Sequence, residues 1–179
     1  MNKHSRFLSH GVRLATLALA LAVAAAGNAS AADATAASTG TVVAPIAIAK
    51  IADLAFGSFA AGSTGGSVTV SPNGTRAVGG GVVGMSGATT AAQFDVTGQA
   101  GSAYSITLDG TATLISGSNS MTFTPVSALT ASAITSGAVN SGTLTGGAQS
   151  IFVGGVLTVA ANQAAGVYGG TVTATVEYN

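Results

Sequence analysis

The sequence predicts an all-β protein, an antiparallel β-sandwich. Three observations lead there. Short runs of alternating apolar and polar residues recur along the chain, separated by turn signals at roughly 8–12-residue spacing. No stretch after Ala31 carries the 3.6-residue period of an amphipathic helix. Residues 166–178 give the clearest strand signal. From Tyr168 on, Gly170, Val172, Ala174, Val176 and Tyr178 alternate with Thr171, Thr173, Thr175 and Glu177. That period of two marks a strand with one buried and one wet face. An outer-membrane barrel is the rival architecture, but it needs aromatic girdles and a polar lumen. After Ala31 the only aromatics are Phe56, Phe59, Phe94, Phe123, Phe152 and three tyrosines.

The N-terminal residues read as a leader. Lys3, Arg6 and Arg13 precede an apolar run over residues 14–26, and Ala29-Ser30-Ala31 is a small-residue cleavage pattern. A basic head, a short apolar run and an A-x-A site are the marks of a secretory signal peptide. A membrane span needs roughly 20 apolar residues. The expectation is cleavage after Ala31, a flexible arm over residues 32–40, and one sandwich domain over residues 41–179. Cleavage removes His4 and His10 and leaves Lys50 and Arg76 against Asp33, Asp53, Asp95, Asp109 and Glu177, a net charge of −3. Two cations cannot hold a phosphate backbone, so nucleic acid is not an expected partner. No basic patch exists for anionic lipid. Cysteine is absent, which closes disulfide and thiolate chemistry. Charged residues make up 6% of the chain, against roughly 25% in an ordinary domain, so the surface must be Ser, Thr, Gly, Ala and Asn.

Taken in order, residues 41–48 alternate with Val42, Ala44, Ile46 and Ile48 on one side. Pro45 confines this run to an edge or irregular strand. Leu54 and Phe56 share a side and anchor the core. Residues 62–66 read as a loop, and Val68 and Val70 as a short strand. Ser71-Pro72-Asn73-Gly74 is a tight turn, with Pro fixing φ and Asn-Gly tolerating positive φ. Residues 76–85 form a glycine-broken strand. Residues 92–97 put Phe94 and Val96 on one face. Tyr104, Ile106 and Leu108 alternate cleanly, and Asp109-Gly110 signals a hairpin into a strand over residues 111–115. Residues 121–126 follow as another strand. Residues 129–149 are the least readable. Residues 151–159 read as a strand broken by a bulge or bend at Gly154-Gly155.

The chemistry-bearing residue types are few. Without His or Cys after Ala31, serine triads, cysteine nucleophiles and the usual zinc sites are closed. Asp95 and Asp109 lie near the ends of successive strands and form the one carboxylate pair worth weighing. The simpler reading puts Asp109 in its turn and Asp95 in solvent, since a catalytic pair needs a cleft with tuned pKa values. No clustered Asp/Asn loop suits calcium. Gly79-Gly80-Gly81-Val82-Val83-Gly84 fits G-x-G-x-x-G, but the dinucleotide motif needs a helix after it, and this stretch is strand-like. Asn73-Gly74-Thr75 fits a glycosylation sequon that a turn alone explains. The chain is therefore expected to be no enzyme, with no catalytic residue, no metal and no cofactor.

Two resemblances add to this reading. Gly166 is fourteenth from the end of the sequence and Tyr178 penultimate, with alternating apolar residues between. This resembles the terminal-strand signature of chaperone–usher pilus subunits. Asp53-Leu54-Ala55-Phe56-Gly57, Phe94-Asp95-Val96-Thr97-Gly98, Tyr104-Ser105-Ile106-Thr107-Leu108, Val153-Gly154-Gly155-Val156-Leu157 and Gly166-Val167-Tyr168-Gly169-Gly170 are similar to the signposts of a bacterial secreted family catalogued only as domain of unknown function 4402. That family resembles spore-coat-U-type subunits in layout. The resemblance implies an immunoglobulin-like sandwich, and a groove that a periplasmic chaperone and then a like subunit fill by adding a strand.

On that basis the strand-pairing residues are Gly166, Tyr168, Val172, Ala174, Val176 and Tyr178. The candidate donor strand is Val42, Ala44, Ile46 and Ile48. An open edge is a pairing template, and strand addition satisfies it. The expected function is a non-enzymatic, exported structural subunit of a surface fibre, pilus or coat, passing through the periplasm to the cell surface. No membrane span is expected after cleavage. The alternative is a self-contained secreted adhesin or carbohydrate-binding module. If residues 41–48 are the domain's own first strand, the sandwich closes itself.

Overall fold

A computed structural model describes residues 31–108 and 112–179. The leader up to Ser30 and residues 109–111, with the Asp109-Gly110 turn signal, lie outside the described residues. Val42–Asn179 forms one compact unit. Residues 31–46 contain no helix or strand, and residues 31–45 are exposed.

Ten strands form among the described residues: β1 (Ala47–Ala52), β2 (Phe59–Val70), β3 (Arg76–Gly84), β4 (Ala92–Thr97), β5 (Ala103–Leu108), β6 (Ala112–Ser116), β7 (Asn119–Ala128), β8 (Ser141–Thr143), β9 (Ala148–Val159) and β10 (Ala174–Tyr178). They make two antiparallel sheets packed as a sandwich. The larger, seven-stranded sheet runs β1-β4-β9-β2-β3, with β7 on the other edge of β9 and β6 on β7. The smaller sheet has three strands in the order β10-β5-β8.

β9 organises the larger sheet. Its first half, from Ala148 to Val153, pairs with β4, and its second half, from Gly155 to Val159, pairs with β2. β4 and β2 thus lie end to end along one edge of β9 and meet at Gly154. The sequence reading expected the chain to break at this double glycine. Instead β9 runs through it, and the glycines answer a packing demand. A Cβ on Gly154 would meet the Val70 carbonyl oxygen, and one on Gly155 the Phe123 ring. Only a residue without a side chain admits so close an approach.

Other differences share this cause. Residues 62–66, expected as a loop, belong to β2, whose register against β3 shifts between Ala61 and Gly66. Gly80 sits at φ 67° on the facing strand, so the G-x-G-x-x-G match is a bulged strand with no helix after it. The run expected over residues 41–48 becomes a strand only from Ala47. Pro45 has no N–H to give a ladder and biases Ala44 to extended backbone. The turn after β2 forms as expected: Gly74 N–H donates to the Ser71 carbonyl at 2.8 Å, and the Asn73 side-chain oxygen accepts from Thr75 N–H at 3.0 Å. The hairpin expected at Asp109-Gly110 falls outside the described residues, but the strands on either side of it do not pair with each other. β5 pairs with β10 and β8, and β6 with β7, so the chain changes sheet between them.

The final strand signal also divides. Only Ala174–Tyr178 forms the ladder with β5, from Ala174 opposite Leu108 to Tyr178 opposite Tyr104. Upstream, a single bridge joins Gly169 to Ile115 of β6. β5 and β6 follow one another closely, so residues 166–178 run antiparallel to both in turn and cross from one sheet to the other.

The core divides into two clusters. One, around Phe94, Val96, Tyr104, Ile106 and Ile151, lies between the smaller sheet and the β1–β4 side of the larger one. The other, around Val68, Val70, Phe123 and Leu157, sits under β2, β3, β7 and the second half of β9. Connecting segments cover it, with Phe56 edge-on to Phe123 at 5.8 Å, a geometry that adds about 1 kcal/mol to burial. Leu54 and Val172 pack against both clusters. Fully buried Tyr104 fills the first cluster, and Gly142 makes room for its ring.

Gly155→Ala is expected to destabilise the domain by at least about 2 kcal/mol, as overpacked cores do, read from the urea midpoint. Gly40→Ala, with nothing within 4 Å of the added Cβ, should leave the midpoint unchanged.

Candidate functional site

The two sheets leave facing edges unpaired. β1 pairs with β4 alone and β10 with β5 alone, and among the described residues no ladder joins β1 to β10. The apolar side chains that pack on the core along both edges are half-buried: Ile46, Ile48 and Leu54 on one side, Val172, Ala174, Val176 and Tyr178 on the other. Fully burying one such side chain stabilises by about 1.5–3 kcal/mol, so each holds back a share of that.

At one end this seam widens into a cavity of about 1040 Å³. Residues 50–61 form one wall and residues 163–172 the other, with Met121, Phe123 and Leu157 as the floor. The first wall is held by Arg76. Its Nη1 donates to the Phe56 and Ser58 carbonyls at 3.1 and 3.0 Å, and its Nη2 to the Met85 carbonyl at 2.6 Å. Gly57, at φ 68°, gives the guanidinium its room. The second wall carries its own clasp: Tyr168 Oη donates to the Ala164 carbonyl and accepts from Gln163 Nε2, both at 2.8 Å. At the rim, Lys50 Nζ lies 2.7 Å from Asp53 Oδ1 with both side chains exposed, a geometry that contributes little to stability.

The other end of the seam is closed by one hydroxyl. Tyr178 Oη accepts from Gln99 N–H at 2.6 Å and donates to the Ala44 carbonyl at 2.8 Å. Gln99 Oε1 takes Ala44 N–H at 3.4 Å. Gly98 lets the phenol in, since a Cβ there would strike it.

The structure therefore places the expected strand-pairing residues in two settings. Ala174, Val176 and Tyr178 lie in β10. Gly166, Tyr168 and Val172 lie in the cavity wall, with Gly166 against the Ser116 side chain. The candidate donor residues also separate. Val42 is 98% exposed, Ala44 is held by the Tyr178 clasp, Ile46 packs on the core, and Ile48 pairs with Val96 inside the domain's own β1. Arg76, Gln99 and Gln163 are not among the residues that the sequence pattern singles out. Arg76 carried a signal, being one of two cations left after Ala31 in a nearly uncharged chain. The two glutamines carried none.

Asp95 accepts hydrogen bonds from Ser150 Oγ at 2.7 Å and Gln93 Nε2 at 3.1 Å. These bonds, Ser150 first, hold its carboxyl below the usual carboxylate value. Its weighed partner, Asp109, lies outside the described residues. Among the described residues no group of three or more His, Cys, Asp or Glu could hold a metal ion. No helix among them is long and apolar enough to cross a membrane.

Sheets, seam and cavity define an antiparallel sandwich in which the edge strands β1 and β10 face each other unpaired. The chain belongs to the family described as Domain of unknown function (DUF4402), whose model matches residues 46–178. No curated protein and no solved structure matches it. The Asp53–Gly57 and Gly166–Gly170 signposts form the two cavity walls, and Val153–Leu157 surrounds the meeting point of β2 and β4.

The fold favours ionised Asp95. That contribution is present above the ordinary carboxylate pKa and is lost as the pH falls through the lowered folded-state value. Asp95→Asn should therefore be less stable than the parent at pH 7 and converge on it below about pH 4, measured by thermal melts across pH.

Proposed function

We propose that this chain is an exported, non-enzymatic structural subunit of a cell-surface fibre or coat, and that subunits join by adding a strand along the seam between β1 and β10. The observation that carries the reading is the pair of facing, unpaired edges lined by half-buried apolar side chains. An incoming extended segment would satisfy backbone groups on both edges and finish burying Leu54 and Val172. The donor is the exposed arm ahead of Ala44 on a second copy, with Val42 and Val43 as its apolar side chains, 98% and 53% exposed. A periplasmic chaperone would occupy the same seam first. The near absence of charge suits close packing of like subunits, because no repulsion has to be screened.

A second reading is a self-contained secreted binding module. The cavity volume favours it, since about 1040 Å³ reaches the upper end of small-ligand sites. Carbohydrate is the weaker ligand class, because Tyr104 is wholly buried, Tyr178 is engaged in the seam, and the hydroxyl of Tyr168 in the cavity wall is already bonded to Gln163 and Ala164.

The test is light scattering on the chain from Ala32 to Asn179 beside one lacking residues 32–43. The expected result is large, denaturant-resistant assemblies from the first and monomers from the second. A sharp-melting monomer from the full chain at high concentration would overturn the fibre reading and leave the binding module. Assemblies from both chains would rule out the arm as donor.

A further inference from the structure

The clasp at Ala44 stands apart from every other contact of the seam. Among the described residues it is the one place where a side chain of β10 is hydrogen-bonded to the segment leading into β1, and one phenol makes both bonds. Gln99 N–H donates to Tyr178 Oη at 2.6 Å, and Tyr178 Oη donates to the Ala44 carbonyl at 2.8 Å. The phenol has no spare geometry. It lies over Gly98, where any Cβ would displace it. Gly98 is fixed in turn by its N–H to the Gly147 carbonyl at 3.0 Å. Ala44 is gripped on both backbone groups, its N–H reaching Gln99 Oε1 at 3.4 Å. Upstream of this grip the chain is exposed, and downstream it enters β1. The clasp therefore marks where the arm leaves the domain.

Its position gives it a second consequence. Adjacent strands lie about 4.8 Å apart in a sheet. A strand entering between β1 and β10 must push apart the very edges that Tyr178 ties directly to each other. The bond from Tyr178 to the Ala44 carbonyl cannot survive full insertion.

We propose that the Tyr178 hydroxyl is an autoinhibitory latch: it holds the root of the arm and the β1–β10 seam shut together, and its release frees a subunit both to accept a strand and to extend its own arm. This inference rests on strand addition as the mode of assembly, but the latch itself is a property of the single subunit and can be read without assembly. Tyr178 is a positioning residue here. Its ring packs against the core from the half-buried face it shares with Val176 and Ala174, and only the hydroxyl does the latching.

The test uses the chain from Ala32 to Asn179 and its Tyr178→Phe variant, which keeps the ring and the β5–β10 ladder. Two readouts are taken. The first is hydrogen exchange of the Gln99 amide and of residues 44–48. The expected result is about tenfold faster exchange there in Tyr178→Phe, the scale of one ordinary hydrogen bond, with the β5–β10 amides unchanged. The second is uptake of a fluorescent peptide of residues 32–46, expected about tenfold faster in the variant. Unchanged exchange at Gln99 and residues 44–48 overturns the latch, whatever the peptide does. Faster exchange with equal peptide uptake overturns its inhibitory role and leaves strand addition standing. Faster exchange with no uptake by either protein leaves a latch on the arm and removes strand addition by this segment. Should Tyr178→Phe fail to fold, Gly98→Ala displaces the same hydroxyl from the other side, and the same outcomes decide.

Discussion

The larger sheet has an inner face that the smaller sheet is too narrow to cover. Seven strands face three. Where the sheets overlap, the core around Phe94, Tyr104 and Ile151 is closed from both sides. Beyond β10 no strand among the described residues lies over Phe123, Leu157 and Val68, and the chain improvises a roof from residues 53–59 and 163–172. An apolar sheet face must be buried against something. The cavity, the half-buried Leu54 and Val172, and the Arg76 bracket all follow from that shortage.

β9 makes the wide sheet possible. By serving β4 with its first half and β2 with its second, it lets two strands share one edge. The junction tolerates no side chain at Gly154 or Gly155, so two adjacent glycines carry the width of the whole sheet. The cost elsewhere is irregularity: the register shift in β2, the positive φ of Gly80, and the single bridge that is the whole backbone pairing of residues 163–173 with β6.

Much of this was legible in the sequence, and the reason is local. β4 and β5 alternate Phe94 with Val96 and Tyr104 with Ile106, and each strand forms where the alternation lies. The Asn73-Gly74 turn is set by its own residues. What escaped was set by distant neighbours. Glycine reads as a break when taken alone, yet Gly62, Gly66, Gly154 and Gly155 continue strands because another backbone or ring lies against them. β5 and β6 find partners in different sheets, which nothing in their own alternation announces. The alternation from Tyr168 to Tyr178 is real along its length, while only Ala174–Tyr178 has a full ladder. Of the seam, the apolar residues were visible. Arg76, Gln99 and Gln163, which hold its walls and its closed end, act through carbonyls and a phenol that no local pattern announces.

In the proposed assembly the seam between β1 and β10 takes a strand from another copy. The absence of cysteine makes this directly measurable. One chain would carry Val42→Cys and a second Val176→Cys, and the two would be mixed under mild oxidation. Strand addition brings the arm of one copy alongside β10 of the other, within the about 5 Å between Cβ atoms of paired strands. Strand addition should give a disulfide-linked dimer containing one of each chain, formed in preference to either homodimer. Random pairing of the two thiols, or no cross-link while both chains remain folded monomers, would contradict it.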